Sequence, residues 1–182
     1  MKSLPLACGA LGACLIAAQA PAHTISLGSS LAETCYKLAK AKANDQSAIA
    51  QCTAALNEPG LMQSDRVATH VNRGIVLMLA DRSTEAIRDF DTAVALDANE
   101  PEAYLNKGLT HLRTGNARAA LPLATRALQL HTRRPAIAYY VRGLAAEDQG
   151  DVKSAYADLR RAAAIDPKWS EPLIELQRYR VR

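Results

Sequence analysis

The chain has 182 residues, the size of one ordinary domain, with 49% hydrophobic residues, 22% charged residues and a formal charge of +4. Aromatic residues make up only 4%, with one Trp and one Phe, while alanine, the best helix former, is abundant. A core built from Ala and Leu points to closely packed helices and argues against a β-sandwich.

Residues 1–22 read as a secretory signal peptide. Lys2 precedes an apolar run from Leu4 to Ala18, and small residues follow at Ala20 and Ala22. Cleavage is expected after Ala22, because cleavage after Ala20 leaves Pro21 behind the scissile bond. The run is shorter than the roughly 20 residues of a membrane span. A rival reading takes "LGAC" at 11–14 as a lipoprotein box with anchoring through Cys14; the apolar "LIAA" directly after that cysteine argues against it. The mature chain is therefore expected to be periplasmic or secreted.

Cys8 and Cys14 leave with the signal, so Cys35 and Cys52 remain as an even pair in an exported chain, where disulfides persist. A Cys35–Cys52 disulfide is expected, with two buried thiols as the alternative. Charge is uneven along the mature chain. His23 to Leu112 carries 8 Lys/Arg against 11 Asp/Glu, and Arg113 to Arg182 carries 13 against 7. Basic tails can meet nucleic acid or anionic membrane, but an exported protein rarely meets nucleic acid. Membrane contact is possible and not predicted.

A repeat organises the rest. Gly74, Gly108 and Gly143 are spaced 34 and 35 residues apart. Twelve residues after each stands an alanine (Ala86, Ala120, Ala155), and seven later another (Ala93, Ala127, Ala162). Phe90, Ala124 and Leu159 lie between them, and His70, Tyr104 and Tyr139 lie four before each glycine. Each unit reads as two amphipathic helices, with apolar residues at three- and four-residue steps. Gly115-Asn116 and Gly150-Asp151 are breaks, and Asn116 and Asp151 suit the N-cap of the second helix. Pro101 and Pro135 sit where first helices begin, a place proline tolerates. Glycine inside a helix costs about 1 kcal/mol relative to Ala, so its recurrence signals close approach of helix axes about 8–10 Å apart.

These columns resemble the tetratricopeptide repeat. Tyr104, Gly108, Ala120 and Ala127 carry the pattern in one copy; Tyr139, Gly143, Ala155, Leu159, Ala162 and Pro167 carry it in the next. Gly74, Ala86, Phe90 and Ala93 carry it in the first, with His70 in the aromatic column. The family's tryptophan is absent. The resemblance implies an all-α fold, a right-handed α-solenoid of helix hairpins. Residues 23–65 are expected to form a degenerate N-terminal hairpin and linker, with Tyr36 in the glycine column and the two cysteines clamping its helices. Repeats follow at 66–99, 100–134 and 135–169, and 170–182 reads as a C-terminal capping helix. There Ser170 is the candidate N-cap and Leu173, Ile174 and Leu176 form the apolar side.

No catalytic constellation emerges. His70 and His111 lack a partner at the spacing of a helical metal pair, and Cys35 and Cys52 have no second Cys/His pair to complete a zinc site. Glu147 and Asp148 are adjacent and point about 100° apart on a helix, so they read as a solvated helix end rather than a facing acid and base. "HTRRP" at 131–135 and "RYRVR" at 178–182 read as basic solubility features. The chain reads as non-enzymatic, and no cofactor or metal is expected. In the family the concave side is lined mainly by first helices. Transferred here, that gives Val71, Asn72, Ile75, Met78 and Leu79; Leu105, Asn106, Leu109, Leu112 and Arg113; and Tyr140, Val141, Leu144, Glu147 and Asp148. Such a surface suits a protein or peptide segment, with Asn72 and Asn106 bonding its backbone. The lysines of the family's carboxylate clamp are absent, so that clamp is not implied. The expected role is a scaffold or adaptor of the bacterial cell envelope. The alternative is an assembly subunit that uses the stack edge or the basic C-terminal half.

Overall fold

The computed structural model describes residues 30–179. The expected signal segment lies outside the described residues, as do the last three positions. Helices follow one another in antiparallel pairs: α1 (Ser30–Lys40) with α2 (Gln46–Leu56), α3 (Gln63–Leu79) with α4 (Ser83–Leu96), α5 (Pro101–Arg113) with α6 (Ala117–Gln129), and α7 (Pro135–Asp148) with α8 (Val152–Ile165). A short α9 (Ser170–Leu176) runs into a 3-10 turn, Gln177–Tyr179. Successive first helices pack on one another, α1 on α3, α3 on α5 and α5 on α7, whereas the second helices have no comparable mutual packing. First helices thus line the inner curve of the stack and second helices its outer curve, a right-handed α-solenoid.

Local chemistry sets the helix ends. The side chains of Asp45, Asn116 and Asp151 accept the backbone N–H groups of Ala48, Ala119 and Ser154 at 2.9, 3.2 and 3.0 Å, filling orphan donors of the first turn. Gly115 and Gly150 close the preceding helices with φ of +76° and +82°. Pro101 and Pro135 are the first residues of α5 and α7.

The repeated small residues mark helix crossings. Ala86, Ala93, Ala120, Ala127, Ala155 and Ala162 are all fully buried. A Cβ added at Gly74 would stand 2.5 Å from the Phe90 ring, whereas one at Gly108 would meet Leu123 Cβ at 3.3 Å. Gly74 thus makes room for the Phe90 ring, whereas Gly108 and Gly143 face the backbone of the second helix at Ala120 and Ala155.

The first pair departs from this plan. Cys35, not Tyr36, faces α2, and it is bonded to Cys52 with a Cα–Cα distance of 4.7 Å and both sulfurs buried. Tyr36, expected in the glycine column, is exposed. A tyrosine cannot enter a crossing built for glycine, so the helix turns by one residue and the disulfide takes that place. At the other end Trp169 rather than Ser170 is the N-cap of α9, and it makes no side-chain capping bond. Pro172 is the buried residue of α9, while Leu173 and Ile174 point outward.

Candidate functional site

The inner face carries a groove of about 660 Å³. Its floor is apolar: Ala39 of α1, Val71, Ile75, Met78 and Leu79 of α3, Leu109 of α5 and Ile137 of α7. These positions recur at three- and four-residue steps, so they share one helix face. Its rim is polar, with Lys40 and Lys42 at the α1 end, Glu100 and Glu102 at the start of α5, and Arg133 and Arg134 on the loop before α7.

One network shapes the rim beside α5. Glu102 accepts bonds from the Thr132 hydroxyl at 2.6 Å, the Arg133 backbone N–H at 2.9 Å and the Arg134 guanidinium at 2.8 Å. Arg134 also donates to Asn106 Oδ1 at 3.0 Å, and Asn106 Nδ2 donates to the Glu102 carbonyl at 2.7 Å. Burial pushes the Glu102 carboxyl up, but the Thr132, Arg134 and Arg133 contacts outweigh it and hold the group below the usual carboxylate range. "HTRRP" is therefore a structural tie from the loop before α7 back to α5 rather than a loose basic loop.

The expected groove residues divide. Val71, Asn72, Ile75, Met78, Asn106 and Leu109 all line the groove. Asn72 has no hydrogen-bond partner among the described residues, but Asn106 is buried and already engaged by Arg134. Leu105 is fully buried and packs with Ala127 and Ala138 between helices. Leu112 packs against the α6–α7 core, in which Val141 is fully buried rather than open to the groove. Arg113 pairs with Asp81 at 3.1 Å at the far helix end. Tyr140 packs on the Trp169 ring with centroids 4.8 Å apart, and Leu144 lies on the same helix, half-buried. Arg178 closes this end by pairing with Glu147 at 2.8 Å, so Glu147 is an anchor for the cap rather than a solvated helix end. Trp169 and Arg178 thus occupy part of the α7 surface, and the open groove is lined by α1, the first two regular repeats and Ile137 at the start of α7.

Sequence reasoning missed Tyr36, Ala39, Lys40 and Lys42 in the groove wall. The signal was present, since the degenerate unit also has a first helix, but its inner face has no repeat column to reveal it. A second missed feature lies between α3 and α4. Asp89 is buried and accepts from Arg73 Nη2 at 2.7 Å and lies 2.9 Å from His70 Nδ1, while Arg73 reaches Thr53 Oγ1 on α2 at 3.1 Å. Burial raises the Asp89 carboxyl, but Arg73 and His70 outweigh it and hold the group below its usual range. Arg142 repeats this with Asp158 at 2.6 Å. The middle copy has Leu123 at the acid's position, and Lys107 turns back to Asp91 of the preceding repeat. The arginine pairs join the two helices of one hairpin, the lysine pair joins successive hairpins, and none of these residues lines the groove. Among the described residues no cluster of three His, Cys, Asp or Glu side chains could hold a metal, and no helix is long and apolar enough to cross a membrane.

A family profile described as tetratricopeptide repeat matches residues 71–130 and 105–168, together more than half of the chain. The fold is similar to solved structures of MamA. One is 25% identical, with a TM-score of 0.60 over 71% of this chain and 72% of that one. Another, from Desulfovibrio magneticus RS-1, is 18% identical, with a TM-score of 0.65 over 81% and 82%. It is also similar to PilW, described as a widely conserved type IV pilus biogenesis factor, at 16% identity and a TM-score of 0.66 over 81% of this chain and 66% of that one. No curated protein matches the sequence. The chain belongs to the tetratricopeptide repeat family.

Proposed function

We propose that this tetratricopeptide repeat protein is a non-catalytic interaction module of the bacterial cell envelope that holds a segment of a partner protein in its concave groove. The observation that carries the reading is the open apolar floor of the groove, flanked by polar rims and lined by first helices. An amphipathic helix or extended segment buries its apolar side chains on such a surface. Export is supported by the buried Cys35–Cys52 disulfide, a bond that persists in oxidising compartments, together with the signal peptide expected from the sequence. The likeness in fold to PilW, a pilus biogenesis factor by its description, fits an envelope role.

The test is capture from envelope extract with the mature chain, compared with Ala68→Trp and Leu109→Glu. Ala68 is exposed and lines the groove, so the tryptophan blocks it without entering the core. Loss of the same captured protein with both variants supports the reading; capture that survives both refutes it. A second reading, an assembly subunit that joins through the end of the stack, is favoured by Val152, Tyr156, Ile165, Leu173 and Ile174, which are exposed near the C-terminal end. Crosslinks that map to those residues rather than to the groove would select it.

A further inference from the structure

We infer that the groove selects an acidic amphipathic segment, one whose apolar side chains fill the floor and whose side-chain carboxylates meet cations at both rims. This rests on the groove reading just given and adds the chemistry of the occupant.

The argument is one of unmatched charge. Of the charged groups that line the groove, Glu102 and Arg134 satisfy each other at 2.8 Å. The Glu100 carboxylate accepts the Glu102 backbone N–H at 3.0 Å, so it is held at the α5 N-terminus, where the helix dipole already offsets a negative charge. Lys40, Lys42 and the Arg133 side chain remain, and none of them has an acidic partner among the described residues. Lys40 Nζ sits 5.9 Å above the Tyr36 ring, a contact that holds the ammonium beside the groove without neutralising it. Cations therefore stand at opposite ends of the lining, one set from α1 and one from the loop before α7. The floor between them is apolar.

An occupant must cover that floor and meet those cations. An acidic segment does both. A basic one sets its charges against Lys40, Lys42 and Arg133, with Glu100 alone to receive it, and like charges in such juxtaposition select against a partner. The cations flank the groove rather than gather at one point, so recognition falls on side-chain carboxylates along the segment and needs no free chain end.

The test uses the oxidised mature chain and two fluorescent helical peptides, each about five turns long and amidated at the C-terminus. They share one Leu/Ile face; the polar face is Glu in one and Lys in the other. Fluorescence anisotropy is read at low and high salt. The expected result is binding of the Glu peptide about tenfold tighter than the Lys peptide, from three partly exposed pairs, with the difference shrinking at high salt. In K40E/K42E/R133E, whose substitutions all lie at solvent-facing rim positions, the preference should vanish or invert; Ala68→Trp should weaken both peptides.

Equal binding, preference for the Lys peptide, no binding of either, or a preference unchanged in the triple variant would overturn the inference. If both peptides bind equally and Ala68→Trp weakens both, the groove stands as a binding site and its acidic selectivity falls. If the Glu peptide binds but ignores Ala68→Trp, it is held by the basic C-terminal half instead, and the groove reading falls with the inference.

Discussion

Reducing the Cys35–Cys52 bond should release α1 and dismantle one wall of the groove while leaving the regular repeats folded. Among the described residues of α1 only Cys35 and Ala39 are buried, with Leu38 packed partly against the core. So little buried apolar surface leaves α1 weakly held by packing. The disulfide joins residues 17 apart, and closing a loop of that length is worth about 3 kcal/mol in the chain-entropy model. Its loss should therefore raise the population of open α1 roughly 100-fold. Nearest-neighbour packing confines the effect, because units of a solenoid touch only adjacent units. Hydrogen exchange read by mass spectrometry, on the oxidised chain and on C35S/C52S, should show lost protection in peptides over 30–42 and unchanged protection in α5 to α8. Loss of Tyr36, Ala39, Lys40 and Lys42 from the lining should also weaken any groove ligand. Equal loss of protection across all helices would show that the bond supports the whole stack, and no change in α1 would show that packing alone holds it; either outcome overturns the prediction.

Three further outcomes follow from particular contacts. Gly74→Ala should destabilise by about 1–3 kcal/mol through overpacking, because the added methyl meets the Phe90 ring at 2.5 Å. Gly108→Ala should cost much less, since its contacts begin at 3.3 Å and Ala is worth about 1 kcal/mol over Gly in a helix; urea melts giving equal losses would contradict the crossing geometry. Thr69 is fully buried and its hydroxyl has no hydrogen-bond partner, so Thr69→Val should be neutral or stabilising by about 1 kcal/mol, and a clear loss in thermal melting would show a missed partner. Glu102 has its folded pKa held below the ordinary range. Its contribution is thus fully present above that range and lost as pH falls through the depressed value. The stability gap between wild type and Glu102→Gln should shrink as pH drops from 7 toward about 3, and a gap constant with pH would refute the role of the ionised carboxylate.

The helix pairs were legible because their determinants are local. The Gly108–Ala120 crossing lies inside one hairpin, and the caps at Asn116 and Asp151 act on residues three positions away. The groove was legible only in part. Asn106 has the position of a ligand-bonding residue but spends its amide on Arg134, 28 residues away, and nothing in the periodicity of α5 encodes that partner. Tyr140 has the same rank in its repeat as Leu105 and Val71, yet its surroundings come from Trp169 on the far side of α8. Lys40 and Lys42 belong to the groove although their unit has lost the glycine that marks the others.

By itself the sequence determined the architecture: helix pairs, their order, the small-residue crossings and the one pair of cysteines able to join the first hairpin. These follow from the 3.6-residue period and from side-chain size, which act over one or two turns. Tertiary structure decided which inner positions stay open. The C-terminal segment sets Trp169 on Tyr140 and Arg178 on Glu147, the basic loop before α7 locks onto Glu102, and α1 swings its lysines to the opposite rim. Each of these depends on how successive hairpins are rotated against one another, a geometry set by the summed packing of all the units and written in no single repeat.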